Sequence, residues 1–434
     1  MGQNNNTKVI KTLQNVFGRE QVNELGRQTG FSKRRRIIEP FRLLGAAVGA
    51  MAQAGTGALA DIHRMFNGLH GQQVHYKPFH KQLAKTAFAD FTRECACTAL
   101  GEFALRALEP TQEQISRFKA ILIQDGTSFA IDKRLHQTYP GRFTTVSPAA
   151  VELHVRMELL KGVPESVVLT PDSYGERAQL PPVEELKGTL ILADRGYFGL
   201  DYWQRLHSAG GAFVVRAPNR INPHIEAAYR EDGLAVKRST GKTLKDIVDK
   251  LPKRQRVDMD VFWRKREGGE FRCRLIARWN RERKCHDYLI TNLPRSAYDL
   301  TAMECLYRLR WQIELLFKEW KSYSNLKGFQ TQKASIVEGL IWVSLIALVL
   351  KRYITASAQR VADIWLSWQK AARSANFWLL PIIKALASDS RSALARAFEA
   401  ATQYLQVNAQ RAHPRRDGKT GLTRFGLEPA FGGG

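Results

Sequence analysis

The sequence predicts an α/β fold that is flanked by helical regions on both sides. Short apolar runs at residues 120–124, 188–193 and 212–215 have the length and composition of buried strands. A helical pattern occupies residues 200–209, between the second run and the third. Strands that alternate with helices are typical of an α/β sheet. We therefore place the first part of an α/β domain at residues 116–218.

The first 115 residues have helical periodicity and many basic side chains. Helices are predicted at residues 41–51, 58–67 and 77–94. The last of these carries a row of basic and imidazole side chains: Lys77, His80, Lys81, Lys85 and Arg93. This pattern is compatible with a helix-turn-helix-like DNA-binding region, and equally with a basic helical bundle that only packs.

The composition changes again after residue 218. Residues 219–300 are basic and mainly β in pattern, and we interpret them as an insertion into the α/β domain, with strands predicted at 257–266, 271–279 and 288–293. Three further segments follow in order: a helix at 301–330 that completes the α/β domain, a helical region at 331–410 and a basic tail at 411–434 that we expect to be disordered.

The charge of the chain indicates a polyanionic partner. Lys and Arg number 66 against 41 Asp and Glu, which gives a net charge of +25, and a field of this sign favours nucleic acid. We expect no membrane role, because the most apolar run, residues 341–350, is too short to span a bilayer. The five Cys have no metal-binding spacing, and the polar start lacks a secretory signal, so a cytoplasmic protein is expected.

Three acidic residues occupy positions suited to metal-dependent chemistry. Asp125 and Asp194 each follow an apolar strand, at the edge of the sheet where sites collect, and Glu314 lies on a predicted helix. Two divalent ions held by carboxylates serve phosphoryl transfer, since Mg²⁺ prefers hard oxygen ligands. We predict that these three acids hold the metals and are catalytic. Asp-Gly is also a common turn pair, so either aspartate taken alone would more often mark a turn.

The predicted helix at residues 307–321 combines an acid with three side chains suited to DNA. At 100° per residue, four side chains share an arc of about 60°: Tyr307, Arg310, Glu314 and Lys321. In this interpretation Glu314 reaches the metals and the other three contact successive phosphates. Glu319 lies on the opposite side, where substitution by Gln is expected to matter little. An ordinary amphipathic helix with a solvated polar face would show the same pattern.

Taken together, these residues resemble a known family. The spacing Tyr307-x2-Arg310-x3-Glu314-x6-Lys321 is similar to the YREK signature of the IS4 group of DDE transposases. Asp125-Gly126 and Asp194-Arg195-Gly196-Tyr197 resemble its two aspartate motifs, and the Arg310-Trp311 pair is similar as well. The resemblance covers residues 119–328, approximately.

The resemblance implies an RNase H-like catalytic core with a β insertion before the glutamate. It implies cut-and-paste transposition of an insertion sequence, by cleavage at terminal inverted repeats and strand transfer, with two Mg²⁺ ions for which Mn²⁺ can substitute. The implied partners are double-stranded DNA, as transposon ends and target, and a second copy in a homodimeric synaptic complex at the nucleoid. Five side chains are then expected to contact DNA: Tyr307, Arg310, Lys321, Arg195 and Trp311.

Two hypotheses from other functional classes remain open. An RNase H-like DNA nuclease without strand transfer would explain the three acids, but not the Tyr, Arg and Lys aligned with Glu314. A catalytically inactive DNA-binding protein would explain the charge, but not the acids. A degenerate transposase copy would carry the same motifs.

Overall fold

The structure, a computed structural model, describes six stretches of the chain. They are residues 2–34, 36–53, 58–264, 269–326, 331–411 and 422–431, with side chains described from Asn6 onward. Within these stretches, helices dominate both ends of the chain and one large mixed sheet forms the middle.

The N-terminal region is helical, as predicted. Its described helices are α1 Gly2–Phe17, α2 Arg19–Gln28, α3 Pro40–Met51, α4 Leu59–His70, α5 Tyr76–Leu83 and α6 Ala87–Glu102. The single helix predicted at 77–94 is wrong, because the chain turns between α5 and α6. Lys85 lies at this turn and donates from Nζ to the backbone carbonyl of Phe31 at 3.1 Å. That hydrogen bond ties the break to the loop after α2.

The central sheet has nine strands in the described part of the chain, and a short strand, β1 (Leu108–Pro110), precedes it. The nine strands are β2 Ala120–Ala130, β3 Ala150–Glu158, β4 Val163–Pro171, β5 Thr189–Ala193, β6 Ala212–Ala217, β7 His224–Arg230, β8 Val257–Arg264, β9 Glu270–Asn280 and β10 Cys285–Thr291. Their order in space is β4-β3-β2-β5-β6-β10-β9-β8-β7. Three short or medium helices lie among them: α7 Glu113–Ser116, α8 Leu200–Ser208 and α9 Leu244–Ile247.

The first five strands of the sheet form an RNase H-like core. β2, β3 and β4 are antiparallel neighbours, while β5 and β6 continue from β2 in parallel. Three antiparallel strands followed by two parallel ones, in the order β4-β3-β2-β5-β6, are the arrangement typical of the RNase H fold. Helix α8 makes the crossover between the parallel strands β5 and β6. The predicted fold class is therefore confirmed.

Strand β2 is longer than the sequence indicated. The apolar run at 120–124 predicted a strand that stops before Asp125, but β2 continues to Ala130. Its parallel pairing with β5 ends at Gln124, whereas its antiparallel pairing with β3 continues to the end of the strand. Asp125 therefore projects from the middle of a strand, and the Asp125-Gly126 pair is not a turn.

The β segment after residue 218 extends the same sheet. β10 pairs antiparallel with β6, and β9, β8 and β7 follow outward. The strands predicted at 271–279 and 288–293 are confirmed to within a few residues, and that at 257–266 is confirmed up to Arg264, since residues 265–268 lie outside the described chain. Hydrogen bonds between β6 and β10 thus join this segment directly to the RNase H-like core.

The two faces of the sheet are covered by different helices. On one face, α10 (Leu300–Arg308), α11 (Trp311–Tyr323) and α12 (Ala334–Ala362) pack with α6, in the same apolar core as Ile121 and Ile123 of β2. On the other face, α8 packs in a second core that includes Leu122. Side chains alternate along a strand. Asp125 consequently points to the face that carries α10 and α11.

Helix α12 is the central helix of the helical layer. By length and composition it is the one helix in the described residues that is apolar enough to cross a membrane, but 83% of its apolar window is buried within the protein. It packs against α3 and α6, so contacts inside the protein account for its composition.

The C-terminal region is helical, and part of the tail is ordered. The helices after α12 are α13 Trp368–Arg373, α14 Ala375–Ala387 and α15 Arg391–Asn408. Disorder was expected from residue 411 onward, but residues 427–429 form strand β11, which pairs antiparallel with β1. Residues 412–421 and 432–434 lie outside the described chain.

Candidate active site

Two helices, and not one, carry the predicted catalytic face. α10 ends at Arg308 and α11 begins at Trp311, so the helix expected at 307–321 is interrupted. Arg310 keeps right-handed helical angles, but its N–H donates to the carbonyl of Tyr307 at 3.1 Å, which is an i→i+3 bond. Such bonds wind the chain more tightly than an α-helix does. The prediction of one continuous helix is wrong, because this tight turn separates α10 from α11.

The two aspartates and the glutamate come from three different elements. Asp125 lies in β2, Asp194 follows the last residue of β5, and Glu314 lies in the first turn of α11. Because the parallel pairing of β2 and β5 ends with Gln124 and Ala193, the next residue on each strand is one of the aspartates. The RNase H-like sheet therefore sets Asp125 and Asp194 side by side.

Arg310 joins the glutamate to the sheet. Its Nη1 donates to Oδ2 of Asp125 at 2.5 Å and to Oε1 of Glu314 at 3.3 Å. Its guanidinium is largely buried, and the neighbouring acids hold the pKa of Arg310 above its ordinary value even though burial opposes the charge. One cation thus bridges two of the three predicted metal ligands.

Tyr307 completes the cluster from the last turn of α10. Its Oη donates to Oδ1 of Asp194 at 3.1 Å. Burial and the charge of Asp194 raise the pKa of the Tyr307 hydroxyl, which therefore stays protonated and able to donate. The structure brings together five of the predicted site residues: Asp125, Asp194, Glu314, Tyr307 and Arg310.

The electrostatics of Asp125 reflect this crowding. Burial raises the pKa of Asp125 to about 7, and the charges of Glu314 and Asp194 add to the increase. The Arg310 guanidinium and the Gly126 N–H, which donates to Oδ1 at 2.9 Å, lower it without cancelling the effect. A buried acid with a raised pKa is typical of functional sites. A cation bound beside it would favour the ionised form of the carboxylate.

The three remaining predicted DNA contacts lie around this cluster. Lys321, near the end of α11, donates from Nζ to the carbonyl of Ser128 in β2 at 3.4 Å. The indole of Trp311 is 59% exposed at the start of α11, and Arg195 is exposed directly after Asp194. All three are accessible to a ligand that covers the acids.

Comparison with known proteins identifies the family. The model of the transposase DDE domain family matches residues 116–350, more than half of the chain. This chain belongs to that family. The match begins just before β2 and ends within α12, so it covers all of the elements that carry the cluster.

Relatives with known names are also transposases. The chain is 22% identical over 388 residues to the transposase for insertion sequence element IS1151 of Clostridium perfringens, with 81% of each protein covered. It is 21% identical to that for IS231F of Bacillus thuringiensis subsp. israelensis, over 79% of this chain and 78% of the relative. These matches support an IS4-family DDE transposase, an enzyme that acts on DNA, as the sequence predicted.

One solved structure overlaps most of this transposase. It is a cryo-EM structure of a piggyBac transposase synaptic complex with hairpin DNA. The structural alignment covers 94% of this chain and 86% of the piggyBac chain. The TM-score is 0.45 and the sequence identity 10%.

Sequence reasoning missed a basic residue next to Asp194. Arg216 in β6 donates from Nη2 to Asp287 of β10 at 2.9 Å, and its Nη1 lies 3.9 Å from Oδ1 of Asp194. The available signal was a lone arginine in the otherwise apolar strand 212–217. A cavity of about 620 Å³ opens here beside the acids, and several arginines and aromatics line it: Arg216, Arg256, Arg278, Arg308, Trp311 and Phe425.

Glu319 is buried in this transposase and forms an ion pair. It does lie on the far side of α11 from Glu314, but there it is buried and its Oε2 accepts from Nη2 of Arg352 in α12 at 2.8 Å. Both side chains are less than one-tenth exposed. That Glu319→Gln matters little for cleavage stays a prediction, but we expect it to destabilise the fold, because Arg352 would stay buried without its anion.

Proposed function

We propose that this transposase cuts DNA at the terminal inverted repeats of an insertion sequence and transfers the freed ends to target DNA by a cut-and-paste route. The observation that supports the proposal most directly is the meeting of Asp125, Asp194 and Glu314 around Arg310 at the carboxyl end of β5. Arg310 serves two of these carboxylates, and Arg216, 3.9 Å from Asp194, is shared with Asp287, so the cluster keeps an excess of negative charge. Such an excess suits divalent ions that in turn hold a phosphate.

The donor set fits Mg²⁺, with Mn²⁺ as a substitute. All three groups are hard oxygen donors. Burial, with a smaller contribution from the charges of Glu314 and Asp194, raises the pKa of Asp125, and bound cations would favour its ionised form. Within the described residues, no three His, Cys, Asp or Glu side chains are already close enough together to hold one metal ion. We assign Asp125, Asp194 and Glu314 as the ligands of two ions. When bound, the ions supply an activated oxygen nucleophile and stabilise the leaving oxygen.

The other side chains of the cluster hold the DNA strand in this proposal. Arg310 donates two hydrogen bonds in a fixed fork, which matches a phosphate as well as it matches a carboxylate. Tyr307 keeps its proton and orients Asp194 or a phosphate oxygen. Lys321 contacts a phosphate further along the strand. Exposed Trp311 and Arg195 add contacts at the edge of the site.

Further parts of the chain extend the contact surface. We assign the basic helices of residues 1–115 to DNA binding, which the net charge of +25 supports. We also assign to this transposase a homodimer that holds two ends in a synaptic complex, and a place in the cytoplasm at the nucleoid.

The test is incubation of the purified protein with end DNA, target DNA and Mg²⁺. Joining of end DNA to the target supports the proposal. Cleavage without joining would support a nuclease, and a band shift without either would support an inactive DNA-binding protein. End DNA with a scrambled terminal repeat is the matched control, since a nonspecific nuclease cuts both alike.

A further inference from the structure

Arg310 lies between two of the side chains that the proposed function assigns to metal ions. Its Nη1 is 2.5 Å from Oδ2 of Asp125 and 3.3 Å from Oε1 of Glu314, and its Nη2 is 3.4 Å from the same Oε1. The side chains of Arg310 and Asp125 are only 14% and 15% exposed, so solvent screens little of this interaction. The guanidinium therefore engages carboxylate oxygens that a metal ion would also need.

A guanidinium and a metal ion compete for these oxygens. Mg²⁺ requires oxygen ligands at about 2.1 Å. An ion at that distance from Oδ2 of Asp125 would meet the positive charge of Arg310 at close range, and like charges repel strongly where little water lies between them. As long as Arg310 contacts both Asp125 and Glu314, the binding of a divalent ion is disfavoured.

The surroundings of Arg310 leave its side chain room to turn away from the acids. A cavity of about 620 Å³ borders it and is also lined by Tyr307 and Trp311. The backbone of Arg310 belongs to the tight turn between α10 and α11, but its long side chain can change rotamer without moving that turn. Release of the acids therefore needs a change of rotamer and no change of fold.

The same cavity is suited to the phosphates of DNA. Among the described residues that line it, five are arginines and two are acids. Both acids are already paired: Asp287 accepts from Arg216 at 2.9 Å, and Glu304 accepts from Arg308 at 2.8 Å. The remaining field is positive and favours an anionic strand. A phosphate in the cavity offers Arg310 a bidentate partner that matches its planar fork as well as a carboxylate does.

We propose that Arg310 keeps divalent ions off Asp125 and Glu314 until a phosphate of the transposon-end DNA takes over its guanidinium. This phosphate is a neighbour of the reacting phosphate, since the cavity adjoins the acids. End DNA then frees the carboxylates, and the binding of metal ions and of end DNA strengthen each other by the same factor. The inference rests on the proposed function and adds to it, because Arg310 restrains the metal ligands before it contacts DNA.

The direct test is calorimetry of Mn²⁺ binding with and without saturating end DNA. The duplex stops at the last nucleotide of the transposon end and carries a 3′-dideoxy terminus. It has no bond to cut and no hydroxyl to join, so binding is measured without reaction. With the unaltered protein, this duplex should tighten Mn²⁺ binding by about 100-fold. Part of the enhancement comes from the release of Arg310 and part from the charge of the phosphate itself.

Arg310→Ala separates these two contributions. Without DNA, the variant should bind Mn²⁺ about tenfold more tightly than the unaltered protein, and the enhancement by end DNA should fall from about 100-fold to about tenfold. Arg310→Gln removes the charge and keeps a hydrogen-bonding side chain, so it should behave in the same way. It carries the test if Arg310→Ala does not fold, and urea denaturation checks the fold of both variants.

A modified duplex tests the phosphate that takes the guanidinium. It carries a single neutral methylphosphonate, placed in turn at each of the last few phosphates of both strands. With the unaltered protein, one position should remove most of the enhancement of Mn²⁺ binding while the duplex is still bound. The same replacement should matter about tenfold less to Arg310→Ala, which has no guanidinium to release.

Matched controls separate the contact of Arg310 from its charge. Arg308→Ala removes an equal charge from the lining of the same cavity, but Arg308 pairs with Glu304 and is about half exposed. It should change Mn²⁺ affinity less than twofold, with or without DNA. Asp125→Ala should abolish Mn²⁺ binding, which ties the measured heat to the acids.

Four results would overturn the inference. They are Mn²⁺ binding that Arg310→Ala leaves equal or makes weaker without DNA, an enhancement by DNA that is the same in Arg310→Ala and the unaltered protein, equal effects of Arg308→Ala and Arg310→Ala, and an enhancement that no methylphosphonate lowers. Unchanged Mn²⁺ binding in Asp125→Ala would refute the metal ligands of the proposed function, and this inference with them. The expected linkage in a protein that does not join DNA would support the inference and refute strand transfer alone.

Discussion

Two clusters in this sheet pair arginine with aspartate, and they differ in charge balance. At the active site, Arg310 alone serves Asp125 and Glu314, with Asp194 nearby. In β8, Asp258 accepts from both Arg274, at 2.7 Å, and Arg295, at 2.8 Å. In the first cluster the carboxylates outnumber the arginines that pair with them. In the second, Arg274 and Arg295 balance the charges of Asp258 and Asp260.

The pKa values of the two aspartates follow this difference. Burial raises the pKa of both, but at Asp125 the increase prevails and the pKa reaches about 7. At Asp258, hydrogen bonds from Arg274 and Arg295 outweigh burial and hold the pKa below its ordinary value. A balanced cluster therefore stabilises the fold, whereas an acid-rich cluster keeps capacity for a ligand cation. Burial of an ion pair alone would not distinguish the two.

The largest expected effect is on the acid-rich cluster. Asp125→Ala, Asp194→Ala and Glu314→Ala should each abolish DNA cleavage, because each removes a proposed metal ligand, while binding to end DNA stays largely intact. Cleavage and gel-shift assays on the same preparations measure both properties. A variant that still cuts within a few-fold of the unaltered rate would remove its residue from the site.

The next effect is on the balanced cluster, and it concerns stability. Asp258→Ala should lower the free energy of unfolding by about 3 to 5 kcal/mol, because Arg274 stays buried without its anion and Arg295 keeps only Asp260. Since its folded pKa is below the unfolded value of about 4, Asp258 stabilises the fold above that pH and progressively less below it. Urea denaturation at several pH values measures this.

Asp260 offers the matched control for that substitution. It also accepts from Arg295, at 2.8 Å, but its side chain is 37% exposed. Asp260→Ala should cost no more than about 1 kcal/mol. Equal losses for Asp258→Ala and Asp260→Ala would mean that burial does not decide the strength of this cluster.

A smaller effect is expected from the cation of the active site. Arg310→Ala should slow cleavage by raising its activation free energy by about 1 to 3 kcal/mol, because a charge-assisted contact to phosphate is lost. Without DNA, the same variant should bind Mn²⁺ more tightly, because Asp125 and Glu314 no longer share their charge with the guanidinium. Calorimetry of Mn²⁺ binding tests the second effect independently of activity.

Arg310→Lys is the control for charge without the fork. It should bind Mn²⁺ with an affinity closer to that of the unaltered protein, and it should not restore cleavage fully, since one ammonium cannot make the paired contact. Weaker Mn²⁺ binding in Arg310→Ala would show that the guanidinium helps to assemble the acids and does not compete for them.

The smallest effect is expected from exposed charge pairs around the cavity. Arg278 donates to Glu304 of α10 at 2.9 Å, but its side chain is about half exposed. Glu304 also accepts from Arg256 and Arg308, so it keeps partners when one is removed. Arg278→Ala should therefore change the unfolding free energy by less than about 1 kcal/mol. A loss as large as that for Asp258→Ala would place these charges in the same class as the buried cluster.

The sequence predicted the elements well where pattern alone decides them. Apolar runs located β5 and β6 within a residue or two, because a buried strand must be apolar throughout. The extension of β2 past Asp125 was not predictable in this way. It depends on pairing with β3, and all of the residues concerned except Phe129 are polar or small.

The site was predictable as a set of residues and not as a set of contacts. Spacing placed Tyr307, Arg310 and Glu314 on one face, which holds despite the tight turn after α10. That Arg310 would meet an aspartate on β2 depends on how α11 packs on the sheet. The partner of Glu319 was hidden for the same reason, since Arg352 lies 33 positions further along the chain.

The pairing of β1 with β11 has a consequence for biosynthesis. During translation, β1 is synthesised about 320 residues before β11, the strand with which it pairs. At 5 to 20 residues per second, roughly 16 to 64 s pass before Leu427 can join β1. During that interval β1, which leads into the catalytic core, presents an unpaired edge to other chains. Slower translation should therefore prolong the period in which nascent chains can be captured by chaperones or by one another.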